Sequence, residues 1–517
     1  MNLIDAVPLL HDVLHRTAAR RPDQVALTSR AGQLSYRELE GRSNALAHAL
    51  RRRGVERGDR VVVFADNTLE AAVAFFGVLK ADAVVSMVNP LTKADKLAYM
   101  LNDCRAAALI TEGHLASVAR PAAEKSPHLR LVVAAGQMDG AGLPGFLELE
   151  AALAGEPRDA PPARRGIDVD LAGLIYTSGS TGDPKGVMLT HRNMLTAGAS
   201  ISTYLGLGQE DVVLCALPLA FDYGLYQLIM SVRLGARLVL ERSFAFPAQV
   251  LQTVVDQGVT FFPGVPTMFA VLGEMKDLSS WDLSRVRAVT NTAAALHVKH
   301  ILAVRRIFPT ARIFSMYGLT ECKRCSYLPP EDLERKPDSV GIAIPNTELW
   351  IVDEQGREVP HGTVGQLVVR GATVMRGYWE KPEETARKLR PGKLPGELVL
   401  YTGDLCRKDQ EGYLYFVGRM DDIIKSRGEK VAPKEVEAAL LTVAGVKEAA
   451  VVGVPDELLG QAVKAFVVLE AGVGLTGKDL QKACQARLEN FMVPKFVEIV
   501  PALPRTDTGK IKKTGLR

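Results

Sequence analysis

The stretch YTSGSTGDPKGVMLTH, Tyr176 to His191, gathers serine, threonine and glycine around a single lysine. Backbone N–H groups and hydroxyls packed this densely can converge on an anion, and Lys185 adds a positive charge beside them. The same composition also suits a flexible linker or a polar turn. Position argues against the linker. An apolar, strand-like approach, Leu171–Tyr176, leads in, and HRNMLTAGASIS, which reads as the start of a helix, leads out. The Walker A pattern does not fit, because Pro184 precedes Lys185 and Gly186 follows it. A phosphate loop of another kind and a polar turn remain.

The elements around this stretch alternate. LSYRELEGRSNALAHALRRRG predicts a helix, with Ser35 and Glu38 at capping-box spacing and Gly54 as the stop. RVVVFAD reads as a buried strand, TLEAAVAFFGVLKA as a helix and AVVSMVN as a strand; AALIT, RLVVAA and GVTFFPGVPTMFAVL continue the pattern. Alternation of this kind predicts an α/β protein with largely parallel sheets. Residues 134–167, rich in Ala, Gly and Pro, read as a surface excursion. From about Thr347, short strands with glycine turns predict a β-rich subdomain over 347–420 within a large domain of layered α/β sheets, 1–420. The remainder, 421–517, reads as a small, mobile C-terminal α+β domain.

Composition narrows the function classes. The chain has 517 residues, 47% hydrophobic and 24% charged, with a net charge of +4. So small a charge makes no case for nucleic acid or an acidic membrane. Asp5 and Asp12 interrupt the apolar N-terminus, which is wrong for a secretion signal. The longest apolar run, Ala71–Leu79, is too short to span a bilayer. Six scattered cysteines include one CxxC, Cys322 to Cys325, without a second pair, and suit reduced thiols in a cytoplasmic protein.

Four further stretches occur in order with the first: SMYGLTE (Ser315–Glu321), YTGDL (Tyr401–Leu405), GRMDDIIKSRGEKVAPKEVE (Gly418–Glu437) and PRTDTGKIKK (Pro504–Lys513). Together the five resemble the motifs of the AMP-forming adenylate-forming enzymes: acyl-CoA synthetases, peptide-synthetase adenylation domains and luciferases. The resemblance covers essentially the whole chain. It implies a ligase that joins a carboxylic acid to ATP, giving acyl-AMP and pyrophosphate, then passes the acyl group to a pantetheine thiol.

What the resemblance implies for single residues follows the motifs. Thr177, Ser178, Gly179, Ser180, Thr181 and Gly182 would wrap the ATP phosphates, with Lys185 beside them. Thr292, Ala293 and Ala294 would flank adenine, and the Tyr317–Gly318 step would carry the stacking ring. Thr320 would reach the α-phosphate and Glu321 would hold Mg²⁺, a hard cation that takes carboxylate oxygen. Asp404 would accept both ribose hydroxyls, supported by Arg419. Lys510 would neutralise charge in the adenylation step. Asp421 would be the hinge about which the small domain turns, and Gly428 would leave room for the pantetheine arm.

The chain departs from the family at the acid pocket. LPLAFDYGLYQ has Phe221 where many acyl-CoA synthetases carry a histidine, and it approaches the segment in which amino-acid-activating domains pair an aspartate with the substrate amine. Asp222 therefore needs a cationic partner, from a substrate or from the protein. Thr292 replaces a glycine of the family pattern. Lys323 and Arg324, just after Glu321, are unusually cationic for a pocket rim; solvent is the expected environment, with pantetheine phosphate or a second substrate carboxylate as alternatives. Phe221, Asp222, Tyr223, Tyr226, Phe262, Gly264 and Ala293 to Ala295 are the wall candidates. The expected partners are ATP, Mg²⁺, a small carboxylic acid, and CoA or the phosphopantetheine of a carrier protein, with CoA ahead because no carrier domain follows the lysine motif. A monomer or homodimer is expected, with no nucleic acid and no membrane span. An amino- or imino-acid-activating ligase, a luciferase-like enzyme and a non-catalytic nucleotide-binding module are the other readings.

Overall fold

The computed structural model describes residues 7–178, 184–275, 277–292, 298–426, 429–456, 460–505, 511–513 and 515–516. By packing, the chain divides into two units. The larger holds residues 1–337, 343–348 and 370–400; the smaller holds 338–342, 349–369 and 401–517. The β-rich stretch that begins near Thr347 thus contributes to both, and the smaller unit draws on chain well before residue 421.

The larger unit is built on two sheets. Strand by strand, the first runs Gly377–Tyr378, Pro184–Thr190, Leu171–Ser178, Val84–Val88, Arg60–Phe64, Ala108–Glu112, Leu131–Ala135 and Leu147–Glu148. Its central strands are parallel and buried, as the near-continuous apolar runs require. The Leu69–Lys80 helix packs with every side chain but Glu70 buried. Gly77 permits a close helix crossing, since a Cβ there would meet Leu46 at 2.7 Å. Lys80 is enclosed between the helices, ion-paired to Glu40 and donating to Asn44 Oδ1 (2.7 Å).

The second sheet has the order Ile342–Ala343, Ser326–Leu328, Arg312–Tyr317, Ala288–Asn291, Phe261–Gly264, Val212–Cys215, Arg237–Leu240, Val25–Ser29, Gly32–Ser35. Phe261–Gly264, Ala288–Asn291 and Arg312–Tyr317 run parallel in register, so Gly264, Asn291 and Ser315 share one end of the sheet. SMYGLTE and the Thr290–Thr292 segment run off that end, where ligand loops lie in open α/β sheets.

The predicted Ser35–Glu38 capping box forms: Glu38 N donates to Ser35 Oγ (3.2 Å) and Ser35 N to Glu38 Oε2 (2.7 Å). Thr190 and Asn193 make a second one, starting the His191–Leu205 helix. The segment 134–167 is only partly a surface excursion. Leu147–Glu148 adds an edge strand, and the helix Leu149–Leu153 buries Leu149, Ala152 and Leu153, apolar residues that the Gly/Pro-rich surroundings conceal.

In the smaller unit, Ile424–Ser426, Glu429–Val431, Val446–Asp456, Gly460–Leu469 and Phe496–Ile499 form one sheet, packed by the helices Pro433–Leu441 and Gly477–Gln485. No helix among the described residues is long and apolar enough to cross a membrane.

One buried side chain ties the two sheets of the larger unit together. Asn67, 5% exposed, donates through Nδ2 to the carbonyls of Leu217 (2.9 Å) and Glu241 (3.0 Å), while its Oδ1 accepts from Leu219 N (2.8 Å). It thereby fixes the loop that feeds the Asp222–Leu234 helix. Asn67→Leu keeps the volume but strands these backbone groups, at roughly 1–3 kcal/mol for each that water cannot reach. Equilibrium urea unfolding should show a loss of about 3 kcal/mol or more.

Candidate active site

The phosphate-loop candidate is the tip of an antiparallel hairpin. Tyr176 pairs with Gly186, Thr177 with Lys185 and Ser178 with Pro184. The element between the loop and the helix is a strand, and the helix read from HRNMLTAGASIS begins at His191. Gly179, Ser180, Thr181 and Gly182 lie outside the described residues. Tyr176 anchors the hairpin by donating to Asp103 Oδ2 (2.6 Å). Lys185 Nζ lies 4.0 Å from Glu384 Oε1 and 5.9 Å from the Tyr378 ring centre.

SMYGLTE runs off the end of the Arg312–Tyr317 strand. Tyr317, Gly318, Thr320 and Glu321 are half-buried. Glu321 Oε1 accepts from the Tyr378 hydroxyl (2.6 Å), and its carbonyl accepts from Met375 N (2.7 Å). Tyr378 was not readable as a site neighbour, because it lies 57 residues away in an unremarkable GYW stretch. Among the described residues Glu321 Oε2 has no hydrogen-bond partner, so this carboxylate fits the donor that Mg²⁺ takes. After Glu321 the chain turns back: Cys325 N donates to Tyr317 O (2.9 Å).

That turn overturns one expectation. Lys323 and Arg324 do not face solvent; they are 3% and 2% exposed. Backbone geometry drives them inward, because the turn folds against Gly318 and Lys323 adopts a left-handed φ of 60°. Lys323 Nζ lies 3.3 Å from Asp222 Oδ2 and 4.3 Å from the Tyr226 ring centre. Arg324 Nη1 donates to Thr292 Oγ1, and its guanidinium carbon is 5.3 Å from the Tyr223 ring centre. The cationic partner that Asp222 needs is thus supplied by the protein. Burial pulls the Lys323 ammonium down to about 7; the Asp222 charge opposes that shift and Arg324 adds to it.

The other wall candidates join this cluster. The Tyr223 hydroxyl donates to Thr290 O (2.9 Å) and lies 2.6 Å from Thr290 Oγ1, pinning the Asp222–Leu234 helix to the Ala288–Asn291 strand. Gly264, in register with Asn291, is buried, and a Cβ there would meet the Phe269 ring at 2.5 Å. Phe262 packs against Phe244, Phe269 and Phe308 as a core residue. Phe221 is half-buried at the helix start. Ala293, Ala294 and Ala295 fall outside the described residues. Cys322 and Cys325 are buried free thiols with sulfurs 3.2 Å apart.

In the smaller unit, Asp404 and Arg419 face each other on paired strands, Leu398–Lys408 and Leu414–Arg419. Arg419 Nε is 3.3 Å from Asp404 Oδ1; the aspartate is enclosed and the arginine about half open. Asp404 N donates to Thr402 Oγ1 (3.1 Å). Asp421 is exposed in the short turn Met420–Asp422. Gly428 and Lys510 lie outside the described residues.

Residues 14–379 match the model of the AMP-binding enzyme family, and residues 435–510 match that of the AMP-binding enzyme C-terminal domain. A long-chain-fatty-acid–CoA ligase of Escherichia coli O6:H1 is 33% identical, with 99% of this chain and 95% of that protein covered. A feruloyl-CoA synthase of an Amycolatopsis species is 34% identical over 97% of each. The solved structure of the anthranilate CoA ligase AuaEII with anthranoyl-AMP superposes with a TM-score of 0.90 at 30% identity, covering 100% of this chain and 98% of that one. The chain belongs to the AMP-binding enzyme family, within the adenylate-forming superfamily. It is an AMP-forming acid–thiol ligase, as the resemblance of its five motifs implied.

The Asp222–Lys323 pair has a measurable signature. Asp222→Asn leaves Lys323 enclosed without a counter-charge. It should cost about 1–2 kcal/mol, below the ~3–5 of a fully enclosed pair, because Asp222 keeps a 24% exposed side chain. The lysine's folded value of about 7 lies below its unfolded value of about 10.4, so the native state binds fewer protons between them and stability rises with pH across that window. Urea midpoints at pH 6.5, 8 and 9.5 should rise more steeply in the wild type than in Lys323→Met.

Proposed function

We propose a division of the two half-reactions over named residues of this chain. In the first, the hairpin tip, with Lys185, holds the β- and γ-phosphates, Tyr317 stacks on adenine, and Asp404 with Arg419 takes the ribose. Thr320 reaches the α-phosphate while the acid's carboxylate attacks it and pyrophosphate leaves. Glu321, oriented by Tyr378, would hold Mg²⁺, which would supply charge neutralisation when bound. Lys510 bridges the attacking carboxylate and the α-phosphate in this step alone. Residues 421–517 then turn about Asp421, withdrawing Lys510 and bringing Gly428 to the path of the thiol. CoA attacks the acyl carbon, AMP leaves and a thioester forms. CoA is the acceptor in this reading, ahead of the pantetheine of a carrier protein, and six free, buried thiols support a reducing, cytoplasmic setting.

The observation that carries this reading is the Tyr317–Glu321 turn. It presents a ring, a hydroxyl and an oriented carboxylate within five residues at the sheet's loop end, where a nucleotide needs stacking, α-phosphate contact and a metal ligand.

Two substitutions separate the halves. Lys510→Ala should slow acid-dependent ATP–pyrophosphate exchange by roughly a hundredfold or more, the scale for losing one preorganised charge at a developing anion. Given ready-made acyl-adenylate, it should still form thioester at nearly the normal rate. Gly428→Trp should do the reverse, because the indole fills the pantetheine path. Single-turnover assays of each half-reaction decide the matter; equal losses in both halves for both variants would sink the rotation.

A further inference from the structure

Lys323 and Arg324 are consecutive cations in a nearly closed environment, and only one carboxylate answers them. The Lys323 ammonium meets Asp222 at 3.3 Å, yet among the described residues its Nζ has no hydrogen-bond partner. Arg324 is worse provided. Of its five N–H groups, Nη1 is engaged by Thr292 Oγ1, while Nε is enclosed and has no partner among the described residues. No described carboxylate lies within ion-pair reach of the guanidinium. The faces of Tyr223 and Tyr226 stand 4.3–5.9 Å from the two cationic groups. Such contacts attract a cation only weakly, while enclosing a charge costs far more, so the ring faces alone do not offset it. With Lys323 protonated the cluster carries one positive charge in excess, and in either state of the lysine the enclosed Arg324 Nε stays unmet among the described residues.

Its location gives that excess a use. Three segments converge on the two cations: the start of the Asp222–Leu234 helix, the Thr290–Thr292 strand end, and the 322–325 turn folded against Gly318. All three belong to the larger unit. The first contributes the wall proposed for the acid, the second carries Thr292 of the segment proposed to flank adenine, and the third is continuous with the Tyr317–Glu321 turn proposed for the nucleotide. Lys323 also occupies a left-handed backbone position, where glycine would sit without strain and a residue with a Cβ is strained.

We propose that Arg324, with Lys323 beside it, is a subsite for a second carboxylate on the acid, so that the protein activates dicarboxylic acids in preference to plain alkanoic acids. The guanidinium fork takes a carboxylate in two parallel hydrogen bonds, and an entering carboxylate cancels the excess charge. A monocarboxylic acid of equal length leaves Nε unmet and pushes an alkyl end against two cations. Sites built around buried polar groups discriminate strongly against ligands that leave those groups unpaired. This inference rests on the adenylation reading above and adds the substrate class to it.

The test is acid-dependent ATP–pyrophosphate exchange by the full chain with Mg²⁺ and no thiol. The acids are straight-chain pairs matched in carbon number from four to ten: the alkanoic acid and its α,ω-dicarboxylic counterpart. Benzoic acid with the three benzenedicarboxylic acids completes the set. For at least one pair, the dicarboxylic acid should have the higher kcat/KM by at least tenfold. Arg324→Met should lower that ratio at least a hundredfold, and Arg324→Lys should recover part of it. A wild type that favours the monocarboxylic member of every pair overturns the inference, whether or not the variants fold. So does a ratio that Arg324→Met leaves unmoved, the result expected if Arg324 held CoA phosphates or served only to clamp Thr292. Exchange with monocarboxylic acids alone removes only this inference, whereas failure of every acid, with long-chain alkanoic and hydroxycinnamic acids added to the panel, would overturn the adenylation reading as well.

Discussion

The contact on which the larger unit's chemistry depends is backbone against backbone. A Cβ on Gly318 would sit 2.7 Å from the Lys323 carbonyl oxygen and 2.8 Å from the Arg324 Cα. Only glycine lets the chain fold back there. From that one approach follow the half-buried ring of Tyr317 on one side, the Glu321 carboxylate presented to Tyr378 on the other, and two cations turned inward beyond them. The turn closes with Cys325 N on Tyr317 O, returning the chain to pair Ser326–Leu328 antiparallel with the strand it left. The SMYGLTE motif and the buried cations are therefore opposite flanks of a single fold-back.

Local features were legible in the sequence because their physics is local. The Ser35–Glu38 box, the buried runs Arg60–Phe64 and Val84–Val88, and the glycine-hydroxyl loop each write their signal within a few residues. The five motifs likewise identified the family, since each is a short run whose residues act together. What was hidden depends on partners distant in the chain. Nothing near Asp222 announces Lys323, and nothing near Glu321 announces Tyr378. The polarity of Lys323 and Arg324 pointed outward, toward solvent; the left-handed turn at 323 sends them inward, and a lysine gives no local warning of such a φ. The hairpin was half-read for a related reason. The polar PKG start of Pro184–Thr190 suggests a loop, and its strand character comes from pairing with Leu171–Ser178.

Two enclosed lysines show how burial separates structure from function. Lys80 reaches the Glu40 carboxylate, the Glu40 carbonyl oxygen (3.3 Å) and Asn44 Oδ1 (2.7 Å), so all three of its donors are used. Its ammonium is lowered to about 8, burial outweighing the attraction of Glu40. This is a satisfied cation between two packed helices, and its surroundings leave nothing for a ligand to complete. Lys323 is held to about 7 with one counter-charge at 3.3 Å and a guanidinium beside it that raises the cost of its own charge. The two side chains are nearly equal in exposure, at 2% and 3%, so depth does not distinguish them. The accounting of donors does. A group enclosed during folding for structural reasons gathers its hydrogen bonds from the chain that encloses it, as Lys80 has. A group enclosed with donors unspent lowers the stability of the free protein, and an anion that completes it recovers that free energy on binding. The incompleteness at Lys323 and Arg324 sits beside the residues proposed for the nucleotide, where binding free energy from a remote part of the acid would be realised against the reacting carboxylate.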